Sequence, residues 1–311
     1  MAQVATRPAP APIDPAYEPA VSITKLPATA SVDEILAILD RDGGVILESF
    51  ASQAELRNIE VEIEESKTSE DGQPHTGFPQ IPSQTHLVPG LVGRSKTMAS
   101  LCERPVLARL REEILTDHFS ITREQFTDQY HIDPLLSISL SFQIGTGAPR
   151  QALHRDDAVH GIDHSIPFNL KKASQFACLV AGCRTTRMNG ATMFVPGSHR
   201  WDDSRQPRVD ELCFAEMEAG SALIFMGSAF HGGGHNSVRD SFRVVHGLFF
   251  VRGILRQEEN QFLAIPHSKV LRMTPAMQSL LGYKKPDSAL GLVDNRDPCT
   301  NLASVFQRLS A

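Results

Sequence analysis

The sequence predicts an α+β protein, mainly β, with a double-stranded β-helix (jelly-roll) core and helices packed on one face. Helix signals fill the N-terminal third. From about Leu135 the chain changes to short apolar strands set off by Gly/Pro turns. No internal repeat or shift of composition calls for a second domain, so residues 26–311 are read as one unit behind a tail of residues 1–25.

That tail is rich in Ala and Pro (Arg7-Pro8-Ala9-Pro10-Ala11-Pro12) and has little to bury, so disorder is expected there. Ser31-Val32-Asp33-Glu34 is a capping box, and Ile35, Leu36, Ile38 and Leu39 supply the apolar face of a helix ending near Arg41. Asp42-Gly43-Gly44 stops it, and Val45-Ile46-Leu47 begins a strand. Ser52-Gln53-Ala54-Glu55 opens a second helix with Leu56, Ile59 and Ile63 on one face. Residues 68–91 are turn-rich, and a loop this long in a compact domain is usually functional or disordered. His75, Phe78 and His86 are its candidates for lining an entrance. A third helix is expected over 96–115, broken or bent at Pro105. Residues 136–144 alternate apolar and polar, as a half-buried strand does. After a turn at Gly145-Thr146-Gly147-Ala148-Pro149, Gln151-Ala152-Leu153-His154 enters the next strand. Further strands are expected at 176–181, 192–195, 221–226 and 244–251. Beyond Pro266 the chain reads as mostly helical, covering the mouth of the barrel or making a dimer contact. Residues 262–281 have the apolar content for a homodimer interface.

With 41% hydrophobic and 21% charged residues, the composition is that of an ordinary soluble globular enzyme. A net charge of -6 leaves no basic footprint for nucleic acid. No apolar run reaches the length of a membrane span, and no signal-peptide core is evident, so a cytoplasmic location is expected. The five cysteines are odd in number and contain no C-x-x-C pair, which argues against a disulfide framework and a structural zinc site.

The chemistry concentrates at His154-Arg155-Asp156, read together with His231 far downstream. Two imidazoles and one carboxylate are the ligand set of a mononuclear non-haem iron(II) site with one open face. A second His-x-Asp pair, His131-Ile132-Asp133, sits beside Pro134 in a helix-to-strand connection with no partner at a useful spacing. His154 and Asp156 occupy positions i and i+2 of an extended segment and so share a face. For the remaining ligand, His199 falls in a turn and His246 in a strand interior. His235 shares a glycine loop with His231 and is its competitor. His231 directly follows Ala222-Leu223-Ile224-Phe225-Met226, a rigid element able to position it. Arg243, in a new apolar strand, is placed to clamp the far carboxylate of a keto-acid by a bidentate pair. Arg239 is a nearer cation, but it lies in a turn.

Taken together, Gln151-Ala152-Leu153-His154-Arg155-Asp156, Met188-Asn189-Gly190-Ala191-Thr192-Met193-Phe194-Val195-Pro196-Gly197-Ser198-His199, and His231-Gly232-Gly233-Gly234-His235-Asn236 with Arg243 resemble a known family. It is the phytanoyl-CoA hydroxylase-like branch of iron(II)/2-oxoglutarate dioxygenases, and the fungal members that tailor meroterpenoids, alkaloids and related natural products are most similar. The resemblance implies that His154, Asp156 and His231 hold Fe(II), and that Gln151, Thr192 and Arg243 bind 2-oxoglutarate. Arg94 or Lys96 would be a further basic contact. It implies an oxidoreductase that uses O2, yields succinate and CO2, and abstracts a hydrogen atom from a small-molecule natural product. Hydroxylation, desaturation, rearrangement and oxygen insertion all stay open, as does the homodimeric state common in relatives. An apolar, polycyclic substrate is expected, with the loop over 157–172 (His160, His164, Phe168) as a lid. The alternatives are an acyl-CoA hydroxylase, which wants a basic patch for the CoA phosphates, an inactive binding protein on the same jelly roll, and a cupin-type dioxygenase without keto-acid, in which Arg243 would have no role.

Overall fold

The protein is described from a computed structural model that covers residues 9–66 and 81–309. In chain order the strands are β1 (Lys25–Pro27), β2 (Gly44–Glu48), β3 (Thr85–Pro89), β4 (Asp117–Arg123), β5 (Phe126–Ile132), β6 (Leu135–Ile144), β7 (Gln175–Ala181), β8 (Met193–Phe194), β9 (Cys213–Phe214), β10 (Ala222–Met226), β11 (His231–Gly232) and β12 (Arg243–Val251). The helices are α1 (Val32–Asp42), α2 (Gln53–Ile63), α3 (Leu91–Arg94), α4 (Lys96–Cys102), α5 (Pro105–Leu115), α6 (Gln261–Ala264), α7 (His267–Val270), α8 (Pro275–Leu280) and α9 (Leu302–Leu309). A large sheet ordered β1-β2-β10-β7-β12-β6-β3 faces a small one ordered β11-β8-β9. This is the expected jelly-roll arrangement.

The helical layer forms where the sequence places it. Both Ser31 and Ser52 close reciprocal capping boxes with the glutamate three residues on, and each satisfies orphan N–H groups of the first turn. Gly43 ends α1 in the left-handed region at φ 77°, and a Cβ there would stand 2.4 Å from the His199 ring. Pro105 does break the third helix, separating α4 from α5.

Two apolar layers follow. One lies between the helices and the outer face of the large sheet, where Leu39, Leu107 and Ile114 meet Cys178, Ile224 and Phe250. The other lies between the sheets and includes Leu179, Phe194, Phe225 and Phe249. Strands β7, β10 and β12 are covered on both faces, which is why they read as unbroken apolar runs rather than alternations.

β6 alternates, yet it is not half-buried. Its serines, Ser137, Ser139 and Ser141, are fully buried. Ser139 Oγ accepts from the Val92 N–H of α3, and Ser141 Oγ meets His246 Nδ1 at 3.1 Å. The apolar side, Ile138 to Ile144, lines a cavity instead.

Four expectations are corrected. Part of the long loop is an edge strand, β3, whose Thr85 to Pro89 pair with β6; its shortness and its proline concealed it. The connection holding His131 is a β4–β5 hairpin, exposed along most of its length and therefore without a core-facing pattern to read. The 151–154 segment contributes only an isolated bridge at His154, because the following N–H of Asp156 turns inward to Gly227 O. Ahead of β1, the tail is anchored at Tyr17: its hydroxyl donates to Leu212 O at 2.6 Å, and Arg187 stacks on its ring. His75 and Phe78 lie outside the described residues. The C-terminal helices place Val270, Met277 and Leu280 in the helical core layer, away from the cavity. No helix among the described residues is long and apolar enough to cross a membrane.

Candidate active site

Between the two sheets lies a cavity of about 460 Å³, with Leu140, Phe142, Leu179 and Phe249 among its apolar walls. His154, Asp156, His231, Gln151, Thr192 and Arg243 all line it. The fold therefore gathers the three expected metal ligands and the three expected cosubstrate contacts into one space.

Backbone pairing sets the spacing of the imidazoles. His154 and His231 exchange two N–H···O bonds, at 2.9 and 3.0 Å, as an antiparallel bridge, which holds the ring centroids 4.6 Å apart. Each ring donates its Nδ1–H to a carbonyl two residues back: His154 to Ala152 O at 2.9 Å, His231 to Ala229 O at 3.0 Å. A carbonyl only accepts, so Nδ1 of each ring carries a proton, and Nε2 is the ring atom left to ligate a metal once it gives up any proton of its own. Both Nε2 atoms face Asp156 Oδ1, at 3.5 Å from His154 and 3.4 Å from His231. Burial alone would raise the Asp156 carboxyl, but His231 and His154 overcome it and hold it well below the usual carboxylate range.

One donor atom from each of the three residues lies within 4.8 Å of the others. Asp156 Oδ2 is buried without a hydrogen-bond partner among the described residues. Two oriented imidazoles and a carboxylate with spare acceptor capacity suit a divalent iron ion, which would displace any Nε2 proton on binding. His235 is not in this cluster; its Nδ1 meets Ala148 O at 2.9 Å. The second His-x-Asp pair is remote, with His131 bound to Asp133 and Asp287 on the hairpin. His199 bonds Asp40 O from its turn and packs on Phe168, and His246 is fully buried within β12.

The His154–Asp156 segment is braced from its other side by residues to which the sequence reading gave no such part. Arg155 points away from the cavity, stacks on Phe230, and donates to Asp203 Oδ1 at 2.6 Å and Trp201 O at 2.6 Å. Asp157 accepts from Ser174 Oγ at 2.9 Å and meets His164, whose Nδ1 contacts Asp203 at 2.9 Å. His164 is thus a strut between two carboxylates rather than part of a lid. Only the charged residues flanking Asp156 hinted at such a network.

Arg243 begins β12, where its register with Ile144 turns the side chain into the cavity. It is 5% exposed, and among the described residues its one polar contact is a long 3.4 Å approach to Thr192 Oγ1. Its Nε has no partner, and among the described residues no carboxylate pairs with it. Burial lowers the guanidinium to about 10. Gln151 Oε1 accepts from Gly233 N–H at 2.6 Å, which fixes the amide at the cavity edge. Arg239 is exposed in its turn. Arg94 and Lys96 are exposed and do not line the cavity, since Arg94 donates to Pro89 O beside α3; proximity in sequence to the core did not bring them to the site.

Fold and donor set together define a dioxygenase of the non-haem iron, 2-oxoglutarate-dependent class, an oxidoreductase. The chain belongs to the phytanoyl-CoA dioxygenase (PhyH) family, whose profile matches residues 39–244. It is 50% identical over 298 residues to dioxygenase swnH1 of Arthroderma benhamiae, covering 96% of this chain and 97% of that one. To dioxygenase peniF of Penicillium patulum it is 32% identical, covering 87% and 88%. Among solved structures, HygX from Streptomyces hygroscopicus with nickel and 2-oxoglutarate bound superposes with a TM-score of 0.54 at 17% identity, over 73% of this chain and 90% of that one. The non-heme alpha ketoglutarate dependent carbocyclase SnoK from nogalamycin biosynthesis gives 0.54 at 18% identity, over 81% and 94%. These two establish the likeness of fold.

Proposed function

We propose that His154, Asp156 and His231 are the Fe(II) ligands, that Gln151, Thr192 and Arg243 hold 2-oxoglutarate, and that the enzyme oxidises a largely apolar natural product. The observation that carries the reading is Arg243. A guanidinium buried without a counter-anion is costly, and a carboxylate arriving beside it and Thr192 removes that cost. A jelly roll kept only for binding, or a dioxygenase without a keto-acid, has no use for such a residue.

With iron(II) bound, O2 would supply the oxidising power to remove a hydrogen atom from a substrate carbon, 2-oxoglutarate giving up two electrons as it is converted to succinate and CO2. The protein's part is positional. The Nε2 atoms and the Asp156 carboxylate present donors from one side. Arg243 and Thr192 fix the distal carboxylate of the cosubstrate, and the Gln151 amide orients it from the cavity edge. The walls formed by Leu140, Phe142, Leu179 and Phe249 exclude water and hold a substrate by burial. Which C–H bond lies nearest the triad decides between hydroxylation, desaturation, rearrangement and oxygen insertion. The swnH1, peniF and HygX relationships support this reading through shared family or fold. An acyl-CoA substrate would require basic residues at the cavity for its phosphates. Arg155 and Arg243 are the only ones lining it among the described residues, and Arg155 is turned away.

An anaerobic titration with iron(II) and 2-oxoglutarate tests the assignment through the weak visible charge-transfer band of the ternary complex. The band should form in wild type and His235→Ala and be absent in His231→Ala. Its absence from folded, iron-saturated wild type would refute the reading.

A further inference from the structure

A second carboxylate, Glu258, lines the same cavity as Asp156 and is unused by the chemistry described above. Its position is built rather than incidental. β12 and β6 slip register between Phe249, paired with Ile138, and Phe250, paired with Leu136, so Ser137 is the extra residue of a β-bulge. Bulges free backbone groups and re-aim side chains, and they gather near active sites. Here the freed groups of Ser137 capture the segment after β12. Ser137 O accepts from the Glu259 N–H at 3.0 Å, and Ser137 Oγ accepts from the Glu258 N–H at 3.1 Å. The same hydroxyl donates to Glu258 Oε1 at 3.1 Å. Gln257 completes the attachment by donating to Leu136 O at 2.7 Å.

Among the described residues Glu258 forms no ion pair with a lysine or arginine. The charged or titratable groups whose fields reach it are Asp156 and His160, and burial followed by Asp156 pushes its carboxyl up. His160 itself is tied to Arg256 O through Nε2. The carboxylate remains solvent-accessible at the cavity wall and is available to a ligand.

Charge accounting then points to that ligand. With the assignments proposed above, the two positive charges of iron(II) and the one of Arg243 balance Asp156 and the dianionic cosubstrate. Glu258 is left over: an exposed carboxylate at the wall of a mostly apolar cavity, placed to pair with a positive group on an entering ligand. We propose that Glu258 is a substrate-binding carboxylate, and that the substrate is a compact, largely apolar molecule carrying a protonated amine, of alkaloid rather than terpenoid character. This rests on the iron and 2-oxoglutarate reading for its charge balance. The limited cavity, which must hold cosubstrate and substrate together, favours the compact form.

The test uses full-length protein with iron(II) and 2-oxoglutarate under anaerobic conditions, titrated calorimetrically with compact cyclic amines. The probes are piperidine, quinuclidine and decahydroquinoline, with N-acetyldecahydroquinoline as the uncharged counterpart of the last. Decahydroquinoline should bind wild type roughly tenfold or more tightly than its N-acetyl form, and Glu258→Gln should erase that preference. The glutamine retains an acceptor for Ser137, and the charge-transfer band, unchanged in Glu258→Gln, reports an intact iron and cosubstrate site. No binding of any amine to wild type, or equal preference in both proteins, would overturn the inference while the band upholds the site. Loss of the band in wild type with the Glu258-dependent preference intact would overturn the metal reading and leave the amine contact standing.

Discussion

Replacing Arg243 by methionine should move stability and cosubstrate affinity in opposite directions. In the free protein Arg243 is 5% exposed, and among the described residues its guanidinium meets only Thr192, at 3.4 Å. Burial lowers its pKa from 12.5 to about 10. At ~1.4 kcal/mol per pKa unit, this puts the cost of carrying the charge there at about 3 kcal/mol. Methionine keeps much of the length and removes the charge, while forfeiting the weak Thr192 contact and some packing. A net gain of about 1–2 kcal/mol is expected for the ligand-free protein, or about 2–4 °C in Tm. Binding should suffer much more, because losing one partner of a buried, hydrogen-bonded charge pair costs about 2–5 kcal/mol. That predicts 2-oxoglutarate affinity lower by about 30-fold to a few thousandfold, at 1.4 kcal/mol per tenfold. Differential scanning fluorimetry in a buffer free of carboxylate and phosphate, with and without 2-oxoglutarate, reads both effects. At about 100 times the wild-type dissociation constant the cosubstrate should stabilise wild type by about 2.7 kcal/mol and the variant by about 0.9 kcal/mol at most. A variant that melts lower than wild type without ligand, and shifts with 2-oxoglutarate as far as wild type does, would refute the reasoning.

Two further predictions concern the frame around the site. His246 is fully buried, and burial lowers it from 6.5 to about 4; between those values the unfolded chain binds a proton that the fold refuses. Stability is therefore full above about pH 6.5 and declines on acidification by ~1.4 kcal/mol per pH unit for this group, levelling off near its folded pKa. His164 is raised by Asp157 and acts with the opposite sign, so the readout is the difference between wild type and His246→Gln. Urea unfolding of metal-free protein at pH 5 and 7 should show His246→Gln losing about 2 kcal/mol less than wild type, and parallel losses would count against a neutral buried imidazole. Gly43→Ala should cost about 2–4 kcal/mol, since it places a Cβ in the left-handed region and against the His199 ring. A urea midpoint within about 0.5 kcal/mol of wild type, at unchanged slope, would contradict that packing.

Local chemistry wrote much of this protein into its sequence. The capping boxes at Ser31 and Ser52, the break at Pro105 and the apolar runs of β7, β10 and β12 are short-range features, legible because neighbouring residues cause them. The His154-Arg155-Asp156 motif was legible for the same reason: an extended segment turns its first and third residues to one side. That His231 rather than His235 joins His154 and Asp156 in one cluster was legible in outline, since a rigid strand leads into it. Tertiary structure decided what depends on pairing between distant segments. The bridge between His154 and His231 sets the spacing of the imidazoles, and the register of β12 against β6 brings Arg243 to Thr192 without a counter-ion. The burial of the β6 serines, the Asp157–His164–Asp203 brace and the bulge at Ser137 that delivers Glu258 left no periodic trace. Each depends on which strand lies beside which, and a linear pattern records the faces of a strand but not its neighbours.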